Sequence, residues 1–154
     1  MSQQRDADTR WMRRAIELSY QCPPAGSAYS VGAVIIDAEG QEIATGYSRE
    51  TDPKVHAEES ALAKLPIGDP RLRGATLYST LEPCSQRASR PRACTQLILD
   101  AGIPRVVIAW REPSLFVENC VGVESLTQHG VHVIEMPELA EEAKGANTHL
   151  DLSP

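Results

Sequence analysis

Apolar residues early in the chain fall at helical spacing. Trp11, Met12, Ala15, Ile16 and Leu18 predict a helix over residues 8–21, with Asp8 as its cap and Cys22-Pro23-Pro24-Ala25-Gly26 as its stop. The pattern then changes. VGAVIID, residues 31–37, is a continuous β-branched apolar run that predicts a buried strand, and Glu39-Gly40 turns the chain into a second strand over 41–47. HAEESALAKL, residues 56–65, predicts a helix ended by Pro66, and PIGDPRLRG a loop. Strands follow at 75–81 (ATLYSTL), 105–110 (RVVIAW) and 132–136 (HVIEM). Helices are predicted between and after them at 93–101, with Gly102 as its stop, at 120–129, and at 137–146 behind Pro137. The stretch EPCSQRASRPRAC is polar and basic with no periodicity, and the tail after 146 is expected to fray.

Strand and helix alternate from the third strand onward, which implies parallel strands covered on both faces, while the opening hairpin adds an antiparallel edge. The expectation is an α/β chain with a three-layer α/β/α architecture and a five-stranded mixed sheet. It forms one domain over 1–154, with an ordered core of about residues 8–146.

Composition narrows the function. The chain carries a formal charge of −6 with 5% aromatic residues, so it lacks the basic surface and the stacking side chains of a general nucleic-acid binder. No apolar stretch approaches a membrane span of about 20 residues. MSQQRDADTRWMRR has no apolar centre and does not read as a secretory signal, so a cytoplasmic protein is expected. With no export signal the four cysteines are not expected to form disulfides, and in a reducing compartment a close pair among them points to metal or redox chemistry.

Candidate chemistry lies in three fragments: His56-Ala57-Glu58, Pro83-Cys84 and Cys94. A catalytic zinc takes three protein ligands and keeps one position open, and one His with two Cys supplies them. His56 and Cys94 fall near predicted helix starts, and Cys84 follows the carboxyl end of a predicted parallel strand, where open α/β sheets bind ligands. Glu58 lies two residues past His56, placed to exchange protons with a water activated by the metal rather than to bind the metal itself. The order H-x-E, P-C, then a second Cys is that of the zinc deaminases. A purely structural zinc site or a silent zinc-binding subunit uses the same ligands, and a nucleic-acid editor is the least supported alternative.

VGAVIID, VHAEESAL, LYSTLEPCSQRASRPRACTQLI and RVVIAWREPSLFVEN together resemble the cytidine/deoxycytidylate deaminase superfamily over roughly residues 10–136. Nine residues separate Cys84 from Cys94, unlike the P-C-x-x-C of nucleoside, deoxycytidylate and tRNA adenosine deaminases. That gap, with GYSRETDPKVHAEESAL, is similar to the riboflavin-pathway pyrimidine deaminases and most to their fungal-type branch. The resemblance implies one Zn2+ and a homodimer or higher homo-oligomer. It also implies hydrolytic removal of an amine from a diaminopyrimidinone with a phosphoribosyl or phosphoribityl side chain. A cytosine nucleotide, nucleoside or specialised-metabolism pyrimidine is the alternative substrate. It implies substrate contacts at Ala57 and at the Pro83 carbonyl, and a phosphate contact in the loop bearing Arg87, Arg90 and Arg92, Arg90 foremost by position. Bacterial members carry Asn-Pro ahead of Val-Gly and a His after Gly-Tyr. Here Ser30 and Ser48 hold substrate-facing positions of those motifs. With the chain ending at 154, the reduction step of such a pathway is expected on another protein.

Of the remaining residues, Glu82 is expected to be a loop anchor, and Cys22 and Cys120 to be free thiols. His129, His132 and His149 lack ligand spacing. Trp110 and Phe116 suit either a base pocket or packing, and Glu138 to Glu142 suits a solvated helix face.

Overall fold

The computed structural model describes residues 2–26, 28–85, 92–113 and 120–150. Five strands form one mixed sheet in the order β2-β1-β3-β4-β5. Strands β1 (Gly32–Ile36) and β2 (Glu42–Tyr47) are an antiparallel hairpin. Asp37 shapes its turn by accepting the N–H groups of Glu39 and Gln41, both at 2.9 Å, and Gly40 supplies the positive φ of 82°. Strand β3 (Thr76–Leu81) lies antiparallel to β1, with Ala33 opposite Ser79. Strands β4 (Arg105–Trp110) and β5 (His132–Glu135) extend it in parallel. The start of β1 therefore lies beside the carboxyl end of β3.

Successive strand residues face opposite layers. Ala33, Ile35, Leu77, Leu81, Val106 and Ile108 pack on one side with Ala57 and Ala61 of α2 (Ala57–Ala63), Ile98 of α3 (Cys94–Ala101) and Leu126 of α4 (Gly122–Gln128). Val34, Ile36, Tyr78, Val107 and Ala109 pack on the other with Met12, Ala15 and Ile16 of α1 (Ser2–Ser19) and Ala143 of α5 (Ala140–Lys144). This is the expected α/β/α layering. Gly102 ends α3 with a φ of 79°, as its position suggested. Among the described residues no helix is long and apolar enough to cross a membrane.

The structure departs from the pattern at both ends. Helix α1 begins at Ser2, so Asp8 lies inside it rather than capping it. Its carboxylate is buried against the sheet, where Arg105 donates to both oxygens at 3.0 and 2.7 Å and the Tyr78 hydroxyl donates at 2.6 Å. The expected helix 137–146 breaks into a 3-10 turn Pro137–Leu139, α5 and a second 3-10 turn Gly145–Asn147. The described residues beyond 146 do not fray away. Asn147 is 1% exposed, accepts the Ser30 N–H at 2.7 Å and donates to the Ser30 carbonyl at 3.1 Å. The acidic run does more than face solvent, since Glu138 pairs with Arg5 and Glu142 with Arg13 of α1.

Candidate metal centre and active site

His56 is the N-cap of α2, and Glu59 reaches back to accept its N–H at 3.2 Å. This helix sits very close to β2. A Cβ on Gly46 would lie 2.3 Å from the Ala57 carbonyl oxygen, so glycine is required there to seat the turn that carries His56 and Glu58. Cys84 follows the end of β3, and Cys94 opens α3. The Cys94 N–H donates to Cys84 Sγ at 3.2 Å and the Thr95 N–H to the Cys84 carbonyl at 3.1 Å, which fastens the helix start to the strand end.

His56 Nδ1 lies 3.6 Å from Cys84 Sγ and 3.3 Å from Cys94 Sγ, and all three atoms fall within 4.8 Å of one another. Tetrahedral zinc with Zn–N of about 2.05 Å and Zn–S of about 2.3 Å separates N from S by about 3.6 Å. The donor set and its spacing fit that ion. The Cys84 thiol is pulled down to about 4 by hydrogen bonding from Cys94, against burial and with help from His56. A thiolate is the form that binds metal.

Glu58 belongs to the first turn of α2 and is 4% exposed. It is not part of the ligand cluster. The Ser79 hydroxyl lies 3.2 Å from Glu58 Oε2. Burial raises its carboxyl above the ordinary range. The charge of His56 opposes this and that of Cys84 adds to it.

The other expected site residues divide. Ala57 is buried beside His56 and Glu58. The Pro83 carbonyl lies 3.8 Å from Cys120 Sγ, which points its thiol at it. Glu82 is an anchor, accepting the N–H groups of Glu112 at 3.0 Å and Val123 at 2.8 Å, the latter in the first turn of α4. Ser30 and Ser48 are both buried and both engaged within the fold. The Ser48 hydroxyl accepts the Val31 N–H at 3.0 Å, and the Ser30 hydroxyl accepts from Arg49 at 3.0 Å. Arg92 pairs at the exposed surface with Asp100 of α3. Arg87, Arg90 and Phe116 lie outside the described residues. Cys22 and Cys120 are free thiols, as expected. None of the three remaining histidines joins the described ligand cluster.

Several residues at this end of the sheet had no part in the sequence reading. Arg49 adopts a φ of 61° and donates to the carbonyls of Pro23 and Tyr29 and to the Ser30 hydroxyl, each at 3.0 Å. Three hydrogen bonds offset the backbone cost of that conformation. Tyr29 meets Trp110 edge to face with ring centres 6.0 Å apart, and its hydroxyl donates to the Pro113 carbonyl at 3.4 Å. Burial pushes the Glu112 carboxyl up to about 7. A hydrogen bond with Cys120 works against this, and the charges of Cys84, Glu82 and Glu58 reinforce it.

The model of the cytidine and deoxycytidylate deaminase zinc-binding region matches residues 5–110. A diaminohydroxyphosphoribosylamino-pyrimidine deaminase of Schizosaccharomyces pombe is 43% identical over 127 residues, covering 81% of this chain and 31% of that protein. The diaminohydroxyphosphoribosylaminopyrimidine deaminase/5-amino-6-(5-phosphoribosylamino)uracil reductase of Thermotoga maritima superposes with a TM-score of 0.75 at 38% identity, covering 92% of this chain and 39% of the other. The Rib2 deaminase of Aspergillus oryzae, as a C-terminal deletion mutant, gives a TM-score of 0.70 at 25% identity over 90% of this chain and 97% of its own. The chain thus spans about a third of the curated yeast relative's length. The family match over residues 5–110 encloses His56, Glu58, Cys84 and Cys94, and the chain belongs to the cytidine and deoxycytidylate deaminase zinc-binding family.

Proposed function

We propose that this chain is a zinc-dependent hydrolytic deaminase of a phosphorylated diaminopyrimidinone of the riboflavin pathway. The observation that carries the reading is the cluster of His56 Nδ1, Cys84 Sγ and Cys94 Sγ, with the buried, non-ligand Glu58 in the same helical turn. His56, Cys84 and Cys94 would hold Zn2+, which supplies Lewis acidity that brings the pKa of water towards ~7.

Glu58 takes a proton from the attacking water and gives it to the ring nitrogen, then passes the proton of the newly added hydroxyl to the departing amine, so N=C–NH2 and H2O become HN–C=O and NH3. The role of acceptor for the amine is assigned to the Pro83 carbonyl, which the Cys120 thiol also approaches, and Ala57 lies buried between His56 and Glu58. The substrate's phosphate is assigned to the loop between the cysteines, where Arg87 and Arg90 are the remaining arginines. Arg92, whose guanidinium pairs with Asp100, is the third arginine of that loop. Ser30 and Ser48 act on substrate indirectly in this reading, through the backbone around Val31 that they help to hold. The names of the yeast and Thermotoga relatives support the substrate class, and the family model supports zinc. A homodimer or higher homo-oligomer in the cytoplasm belongs to the same proposal.

Ammonia release from the diaminopyrimidinone phosphate, followed with zinc-loaded protein beside a cytosine nucleotide and nucleoside panel, tests the proposal. The riboflavin intermediate is expected to be turned over fastest. Absence of release at high enzyme concentration refutes the assignment. Glu58→Gln should keep stoichiometric zinc while turnover falls by at least about 10²-fold.

A further inference from the structure

Leu77, Ser79 and Leu81 share the face of β3 that looks toward α2 and α3. Two of the three are core leucines. Ser79 is 0% exposed and places a hydroxyl where the layer is otherwise apolar. A buried hydroxyl without a partner is costly, so its contacts carry meaning. The oxygen lies 2.8 Å from the Leu81 carbonyl and 3.2 Å from Glu58 Oε2.

A hydroxyl has one hydrogen and can donate to one of these oxygens at a time. We propose that Ser79 is a positioning residue for the reaction, holding the Glu58 carboxylate through Oε2 so that its other oxygen is the one that exchanges protons. This deepens the deaminase reading and rests on Glu58 being its acid and base. Rotation about the Ser79 Cβ–Oγ bond moves the hydrogen between Leu81 O and Glu58 Oε2 without breaking an O–H bond. Ser79 can thus hold Glu58 Oε2 while the Leu81 carbonyl stays within its reach. No heavy atom has to move, so Ser79 ends the cycle unchanged. Preorganisation of this kind favours the transition state without strengthening substrate binding.

The test compares Ser79→Ala, Ser79→Val and Ser79→Thr in zinc-loaded protein, measuring kcat and KM for ammonia release together with zinc content. Val and Thr have the same shape and differ in the hydroxyl. Ala and Val are expected to lower kcat about 10- to 100-fold, the loss of a hydrogen bond to a charged group, with KM and zinc unchanged. Thr is expected to recover most of the turnover. Val matching Thr, Ala keeping the parent kcat, or zinc content falling together with kcat would each overturn the proposal. Crystal structures of the parent and Ser79→Ala proteins give a second readout. Glu58 should occupy one rotamer in the parent and more than one in the variant. A single unchanged rotamer overturns the anchor role. If the parent protein releases no ammonia, the deaminase reading fails, and the crystallographic comparison still decides whether Ser79 fixes Glu58.

Discussion

Two arginines near the cysteine ligands illustrate what decides the role of a cation. Arg92 has Asp100 two turns along α3, and an exposed pair of this sort is worth about 0–1 kcal/mol. Arg92→Ala should therefore leave KM for a phosphorylated substrate within about twofold and change the melting temperature little. Arg90→Ala should raise KM about tenfold or more with kcat largely kept, as expected when a charged contact to phosphate is lost. Steady-state kinetics with phosphorylated and dephosphorylated substrate separates the two residues, since only the phosphorylated form should respond to Arg90→Ala. At this scale His56, Glu58, Cys84 and Cys94 were legible because metal and proton chemistry demands particular side chains. For Arg92 the sequence shows a positive charge, and only the structure shows Asp100 beside it. Ser79 gave only a faint sign, one hydroxyl among apolar neighbours in a buried strand.

Secondary structure was legible wherever the apolar period was strong. The five strands and the helices over the sheet face that holds the site follow from runs such as VGAVIID and ACTQLILDA. The errors at α1 and after β5 share one cause. Asp8 was read as a cap because polar residues usually mark helix ends, and its true partners, Arg105 and Tyr78, are 97 and 70 residues away. Elements also meet where sequence shows only a small residue. Gly46 lets α2 approach β2, and a methyl group there would press on the Ala57 carbonyl and the Ala61 amide, 2.3 and 2.6 Å from its Cβ. Gly46→Ala should cost about 1–3 kcal/mol by overpacking and also depress kcat, because the displaced turn carries His56 and Glu58. Urea unfolding alongside zinc stoichiometry checks both effects.

For the whole molecule, the pairing of Asp8 makes stability depend on pH. Burial pushes this carboxyl up, but hydrogen bonds from Arg105 and Tyr78 outweigh that and hold it below its usual value of 3.8. Its stabilisation is therefore complete above the unfolded value near 3.8 and fades as pH falls through the lower folded value. Asp8→Asn should destabilise the protein by about 2–4 kcal/mol at neutral pH and flatten the loss of stability as pH falls below the unfolded value near 3.8. Urea titrations across that range should show the parent and variant curves converging in acid. The contact between Asn147 and Ser30 has a different consequence, one concerned with time. A ribosome releases residue 30 long before residue 147, so the two hydrogen bonds that fasten Ser30 cannot exist while most of the chain is being made. The rim at the head of β1 is then the last part of this end of the sheet to be set. In the finished protein, the Ser30 amide should exchange with deuterium in step with the C-terminal turns rather than with its strand neighbours.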